Sequence, residues 1–258
     1  MIIAISNQKG GVGKTTTSVS LGAAIVQRGH EVLGVDLDPQ ANLTLALGVK
    51  PASLRRTVAD VLMGTLSPVS ASRETGLPGF DLLPANHDLQ LVEQFLHTRA
   101  NHATTLQHLL KQATAYEYII CDCPPALGHI TLNALTAADV LLIPTQCEYY
   151  SAYALNEMLD TVRYVREHTN PRLSYRILIT LFDRRNRVHH TVYEQIKTAF
   201  GHSVCATIIE IDTKLRESQV FGQPITAYAP QSRAAQQYRS LAEELTRDAQ
   251  AQKTAQSA

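Results

Sequence analysis

Short, continuous apolar runs alternate along the chain with segments of helical periodicity. Ile2–Ile5 has the length and composition of a buried strand, and Lys14 to Arg28 predicts a helix that Gly29 ends at its C′ position. Glu31 to Asp38 predicts a second strand closed by Pro39, Phe80 to Pro84 a short third, and Tyr118 to Asp122 a fourth stopped by Pro124 and Pro125. Val140 to Pro144, Ser174 to Phe182 and Val204 to Ile211 complete the strands. Leu89 to Ala113 has a helical pattern with a break near Asn101. Ala152 to His168 sets Leu155, Met158, Leu159, Val162 and Val165 at helical spacing, and a last helix runs from Ser232 to about Gln250. Strands without polar alternation, separated by helices, predict an α/β fold with a mostly parallel twisted sheet flanked by helices on both faces. Residues 1–250 read as one domain and residues 251–258 as a polar tail. Lys50 to Gly79, rich in Ser, Thr, Pro and Gly with a short helical patch at Val58–Met63, reads as a surface excursion of that domain.

Sheets of this kind bind ligands beyond the carboxyl ends of their strands, and Gly13, Asp38 and Asp122 stand at such ends. The first strand runs into Ser6-Asn-Gln-Lys-Gly-Gly-Val-Gly-Lys-Thr-Thr16 and then a helix. The order strand, glycine-rich turn, Lys-Thr, helix is that of a P-loop for a nucleoside triphosphate. Backbone N–H groups of Gly10, Gly11, Val12 and Gly13 can close around phosphate oxygens, and the helix N-terminus adds a favourable dipole. Lys14 can reach the β- and γ-phosphates, the Thr15 hydroxyl can ligate Mg²⁺, and Thr16 follows in the same turn. Asp122, closing an apolar strand, stands where a Walker B aspartate would complete the Mg²⁺ site, and it is expected to do so through water. Asp38 is a candidate to orient the attacking water, with turn formation before Pro39 as its structural alternative. Asp36 has an equally simple structural task available, hydrogen bonding to backbone in the P-loop turn. The usual first glycine of the motif is replaced by Gln8, and Lys9 follows it. Lys9 is either a solvated charge or a group that stabilises charge on the γ-phosphoryl, in its own chain or across to a facing subunit.

Composition narrows the classes. No apolar run reaches the ~18 residues of a membrane span, and no basic n-region precedes the first strand, so a cytoplasmic protein without a signal peptide is expected. Lys and Arg number 23 and Asp and Glu 23, so any nucleic-acid surface has to be a local patch. Cys121, Cys123, Cys147 and Cys205 form no C-x-x-C and read as buried apolar thiols.

The chain resembles the ParA/MinD superfamily, and within it the Soj-type ParA partition ATPases, over nearly its whole length. Lys9-Gly-Gly-Val-Gly-Lys-Thr-Thr16 is similar to the deviant Walker A motif with its signature lysine. Val35-Asp-Leu-Asp-Pro-Gln40, Asp122-Cys-Pro-Pro-Ala-Leu-Gly128, Leu132-Asn-Ala-Leu135, Gln146-Cys-Glu-Tyr-Tyr150, Phe221-Gly-Gln-Pro-Ile225 and Ser232-Arg-Ala-Ala follow in the family's order. The resemblance implies an ATP- and Mg²⁺-dependent homodimer in which Lys9 reaches the partner's phosphates, Gly10 lies at the seam and Asp38 is needed for hydrolysis. It further implies that the dimer binds double-stranded DNA without sequence preference, that a ParB-like centromere-binding protein stimulates hydrolysis, and that the protein associates with the nucleoid.

Basic residues cluster in Asp183-Arg-Arg-Asn-Arg187, and Lys214 and Arg216 follow the last strand. Phosphate contacts require positive charge without base reading. The resemblance aligns Arg185 and Lys214 with DNA-contacting residues, and adds Arg184, Arg187 and Arg216 as neighbours. One stretch departs from the family: Ile209-Glu-Ile-Asp-Thr-Lys214 stands where members carry Ile-Pro-Arg-Asn-Val-Arg. Glu210 and Asp212 are expected to weaken DNA affinity there and to alter contacts on the adenine side, with Arg216 compensating. No helix-turn-helix extension precedes the P-loop, so operator-specific repression is not expected. A MinD-like ATPase acting on another cargo at a membrane is the nearest alternative, but the polar tail lacks the apolar and basic face of a membrane-binding helix. An iron–sulfur carrier would need differently placed cysteines, and an assembly scaffold with little hydrolysis is opposed by Asp38.

Overall fold

The computed structural model describes residues 1–96, 98, 102–149 and 151–257, with side chains as far as residue 248. Its first half comprises β1 (Ile2–Ile5), α1 (Lys14–Val26), β2 (Val32–Asp36), α2 (Asn42–Ala46), α3 (Val58–Met63), α4 (Pro68–Ala71), β3 (Arg73–Glu74), β4 (Phe80–Leu83), α5 (Leu89–Leu96) and α6 (Thr105–Leu110). The second half comprises β5 (Tyr118–Asp122), α7 (His129–Ala137), β6 (Val140–Gln146), α8 (Ser151–His168), β7 (Ser174–Phe182), α9 (Arg187–Phe200), β8 (Val204–Glu210), α10 (Thr213–Val220), α11 (Ile225–Tyr228) and α12 (Arg233–Ser257). Short 3₁₀ turns occupy Pro51–Ser53, His102–Thr104 and Gly201–Ser203.

The strands form one sheet in the order β3-β4-β2-β5-β1-β6-β7-β8, in which every pairing is parallel except β3 with β4. β1 lies in the interior, between β5 and β6. Consecutive residues of β1 point to opposite faces: Ala4 packs with Val35, Cys121 and Leu141 beneath α3 and α5–α9, and Ile3 and Ile5 pack with Ile120, Leu142 and Leu178 beneath α1 and α10–α12. Burial on both faces explains why the central strands read as unbroken apolar runs. Against α1, the Phe80 ring fills the space over Gly22, where an added Cβ would stand 2.4 Å from its Cζ.

The expected strands all form, with shifted ends. β2 stops at Asp36 because Leu37 and Asp38 leave the ladder, whereas β6 continues past Pro144 to Gln146. The pattern over Leu89–Ala113 resolves into α5, a 3₁₀ turn and α6; the break expected near Asn101 lies outside the described residues. α12 continues beyond Gln250 to Ser257, so the polar segment after Gln250 begins as helix. No periodicity announced α7, because it is buried on nearly every side and has no polar face. α9 begins within the basic cluster: Asn186 caps it by accepting from the Val188 amide. Among the described residues, no helix is long and apolar enough to cross a membrane.

Candidate functional site

The P-loop leaves the end of β1 and closes into α1 through Gly11 (φ 74°) and Gly13 (φ 87°), left-handed conformations that glycine adopts without strain. Gly13 is the N-cap and offers no side chain to the first turn, so the opening amides of α1 are left to an external acceptor. Nothing lies within 4 Å of where a Cβ would sit on Gly10, Gly11 or Gly13, so the concave side of the loop is open. Three long-range hydrogen bonds hold its shape. Asn7 Nδ2 donates to Pro144 O at 2.7 Å, Gln146 Nε2 to Gly11 O at 3.0 Å, and Thr180 Oγ1 to Val12 O at 2.8 Å.

Lys14 is buried, and its ammonium donates to Lys9 O at 3.1 Å. Burial pushes its pKa down, opposed by the charges of Asp122 and Asp38. Behind the loop the Asp122 carboxylate accepts from Thr15 Oγ1 at 2.7 Å and from Ser18 Oγ at 2.7 Å. β5 and β1 are in register there, with Ile5 opposite Asp122, which brings the Walker B-like carboxylate beside the first turn of α1. Burial pushes Asp122 up to about 6 against those two hydrogen bonds, with Asp38 raising it further and Lys14 lowering it. Ser18 escaped the sequence reading, although it lies on the same helical face as Lys14 and Thr15.

Asp36 is wholly buried beside Asp122 in the β2–β5 ladder. Burial, then the charge of Asp122, lift it to about 7. Its hydrogen bonds come from Thr44 N at 2.8 Å, Thr44 Oγ1 at 2.7 Å and Asp38 N at 3.1 Å. It therefore secures the segment that follows β2, rather than the P-loop turn. Asp38 does make a turn, with its Oδ1 accepting from Gln40 N at 2.9 Å, and its charge is felt at both Lys14 and Asp122. A buried lysine, paired carboxylate and hydroxyl oxygens, and an open nest of amides fit a triphosphate with a hard divalent cation, which takes oxygen ligands and neutralises crowded carboxylates.

Lys9 points elsewhere. Its ammonium is paired with Glu148, just before α8, and its side chain remains 35% exposed. Beyond the loop a cavity of about 230 Å³ is lined by Gly11, Thr16, Leu181, Leu215, Arg216 and Tyr238 among others. Gln219 closes one side by donating to Thr16 Oγ1. Arg216 thus lies on the wall of this cavity, although it is also exposed to solvent.

The other basic residues are exposed beyond β7 and β8. Arg185 folds back onto Asp183 through two contacts of 3.0 Å, which hold Asp183 down at about 2. Lys214 pairs with Glu217 at 2.9 Å. Arg187 opens α9. The acidic substitutions in the last loop are not free charges. Glu210 is buried between Arg184 at 2.8 Å and Arg233 at 3.0 Å, with Gln237 Nε2 donating to it at 2.9 Å. Asp212 caps α10, accepting from Lys214 N at 2.9 Å, and also accepts from Ala234 N at 3.2 Å.

The AAA domain family (AAA_31) matches residues 1–175. Sporulation initiation inhibitor protein Soj of Bacillus subtilis is 42% identical over 246 residues, covering 95% of this chain and 97% of Soj. Chromosome partitioning protein ParA of Caulobacter vibrioides is 39% identical over 248 residues, covering 95% and 93%. Among solved structures, cobyrinic acid a,c-diamide synthase from Mycobacterium smegmatis with bound ATP analog and magnesium superposes with a TM-score of 0.84 at 37% identity, covering 95% of this chain and 94% of that one. The cell division ATPase MinD of Pyrococcus furiosus superposes with a TM-score of 0.78 at 26% identity, covering 95% and 98%. With its P-loop, its Asp122–Thr15 pair and full-length similarity to Soj and ParA, the chain belongs to the AAA domain family and, within it, to the ParA/Soj group of P-loop ATPases.

Proposed function

We propose that this protein is the ATPase of a DNA partition system, which binds ATP with Mg²⁺, dimerises, holds DNA without sequence preference and lets go after hydrolysis. The observation that carries the reading is the division of labour between two lysines of one loop. Lys14 is buried behind the phosphate nest, whereas Lys9 extends to the exposed rim, where a facing subunit could meet it. In this reading Lys14 and the amides of Gly10–Thr16 grip the phosphates, and Thr15 and Asp122 hold Mg²⁺, the latter through water. Bound Mg²⁺ supplies positive charge against the phosphate oxygens. Asp38 orients a water for in-line attack on the γ-phosphorus, breaking the bond to the ADP oxygen and releasing phosphate. Lys9 of the facing subunit balances the charge that develops on the transferred group.

Arg184, Arg185, Arg187, Lys214 and Arg216 supply the phosphate contacts to DNA, and dimerisation doubles that surface. The ParB-like partner accelerates hydrolysis, and DNA binding places the protein on the nucleoid. The likeness to an amide synthase raises a second reading, ATP-driven amide formation. Burial of all four cysteines, with Cys121 pushed up to about 12, leaves no thiolate suited to releasing ammonia from glutamine.

Co-sedimentation with duplex DNA in ADP, ATP and a slowly hydrolysed analogue, at two salt concentrations, tests the proposal. Retention that requires ATP or the analogue and weakens with salt is expected. Retention indifferent to nucleotide, or none at low salt, would sink it.

A further inference from the structure

The excursion between β2 and β4 carries a basic site remote in sequence from the nucleotide site. Arg55 and Arg56 follow the 3₁₀ turn Pro51–Ser53, and Arg73 lies on β3, the strand at the opposite edge of the sheet from β8. All three arginines line one surface concavity of about 300 Å³, with Ser53, Leu54 and Ala71 completing its wall. Among the described residues none of the three guanidinium groups has a carboxylate within ion-pair distance, in contrast to Arg184, Arg185, Lys214 and Arg233. Arg56 makes one long contact, 3.4 Å to Ser70 O. The nearest carboxylate in sequence, Glu74, follows Arg73 on β3 and so points to the other side of the strand.

Protection of a sheet edge accounts for one charge on β3. It does not account for two further arginines, from a separate segment, turned into the same hollow. Three like charges around one concavity repel each other, and an anion between them relieves that repulsion. Guanidinium forks match the oxygens of a phosphate group in pairs and are less strongly hydrated than ammonium groups.

We propose that Arg55, Arg56 and Arg73 form a second phosphate-binding site, separate from the P-loop, for a phosphate group borne by a small phosphorylated molecule or by a DNA backbone. The probe is inorganic pyrophosphate, titrated calorimetrically into the full chain already saturated with ADP and magnesium, so that the P-loop is filled. One binding event is expected, weakened roughly tenfold or more in Arg55→Ser/Arg73→Ser, as loss of charge-assisted hydrogen bonds predicts. Arg55→Lys with Arg73→Lys keeps the charge but removes the forks, and is expected to weaken binding as well. ADP affinity and melting temperature of each variant report that the fold is intact. DNA retention by the Ser variant tells the two sources apart: unchanged retention assigns the site to a small phosphorylated molecule, and a parallel fall assigns it to the DNA backbone. No pyrophosphate binding to the ADP-filled protein, or equal binding by the Ser variant, overturns the proposal.

Discussion

Lys9 reaches Glu148 across 139 positions of sequence, so the residue that restrains it was not legible from the motif alone. The P-loop itself was legible because its chemistry is local, whereas its restraints arrive from β6, β7 and α10. While Glu148 holds Lys9 within its own chain, the lysine must exchange partners before it can serve a neighbour. Glu148→Gln is therefore expected to lower the ATP concentration needed for dimerisation, and Lys9→Ala to abolish dimerisation while monomers still bind nucleotide; size-exclusion chromatography with light scattering checks both. Asp36 supports a pH prediction. Burial and the charge of Asp122 raise its carboxyl from 3.8 to about 7, so the folded chain binds this proton more tightly than the unfolded one. Its contribution to stability is fully present below about pH 4 and is lost as the pH rises through about 7. Melting temperature of the nucleotide-free protein is expected to fall between about pH 4 and about pH 7, with a shallower slope in Asp36→Asn. That variant also turns an acceptor of three hydrogen bonds into a partial donor, which is expected to cost about 1–3 kcal/mol in chemical denaturation.

Among the elements, α1 is fixed by a contact that the apolar pattern does not reveal. Gly22 looks like a helix-weakening residue until Phe80 is seen lying against it, with Gly34 of β2 on the ring's other approach. Gly22→Ala is expected to lose about 1–3 kcal/mol by overpacking, despite alanine's better helix propensity, and pairing it with Phe80→Leu is expected to restore part of the loss. A double-mutant cycle in urea measures the coupling. The strands were readable because both faces of the sheet are covered, which removes polar interruptions. α7 was unreadable for the same reason, since a helix buried on almost every side has no amphipathic stripe. α9 was not legible for a different reason: its first residue, Arg187, closes the run that reads as a basic cluster, although Val188, Val192 and Ile196 repeat at helical spacing.

Across the whole molecule, a formal charge of zero conceals basic groups at opposite edges of one sheet. At the edge beyond β7 and β8, Glu210 is not a free surface charge, because Arg184 and Arg233 pair with that carboxylate in the interior. Arg185→Glu is expected to abolish DNA retention and leave ATP-dependent dimerisation intact; loss of both would make the arginine structural. β7 links this edge to the P-loop more directly than the distance between their motifs suggests. Thr180 donates to Val12 O, and the next residue, Leu181, has a φ of 52° that leucine seldom adopts. Phe182 then returns to the ladder after a register shift against β8, and the arginines begin two residues later. One strand and the turn after it thus carry, within five residues, the hydroxyl that holds the P-loop and the first arginine of the basic edge.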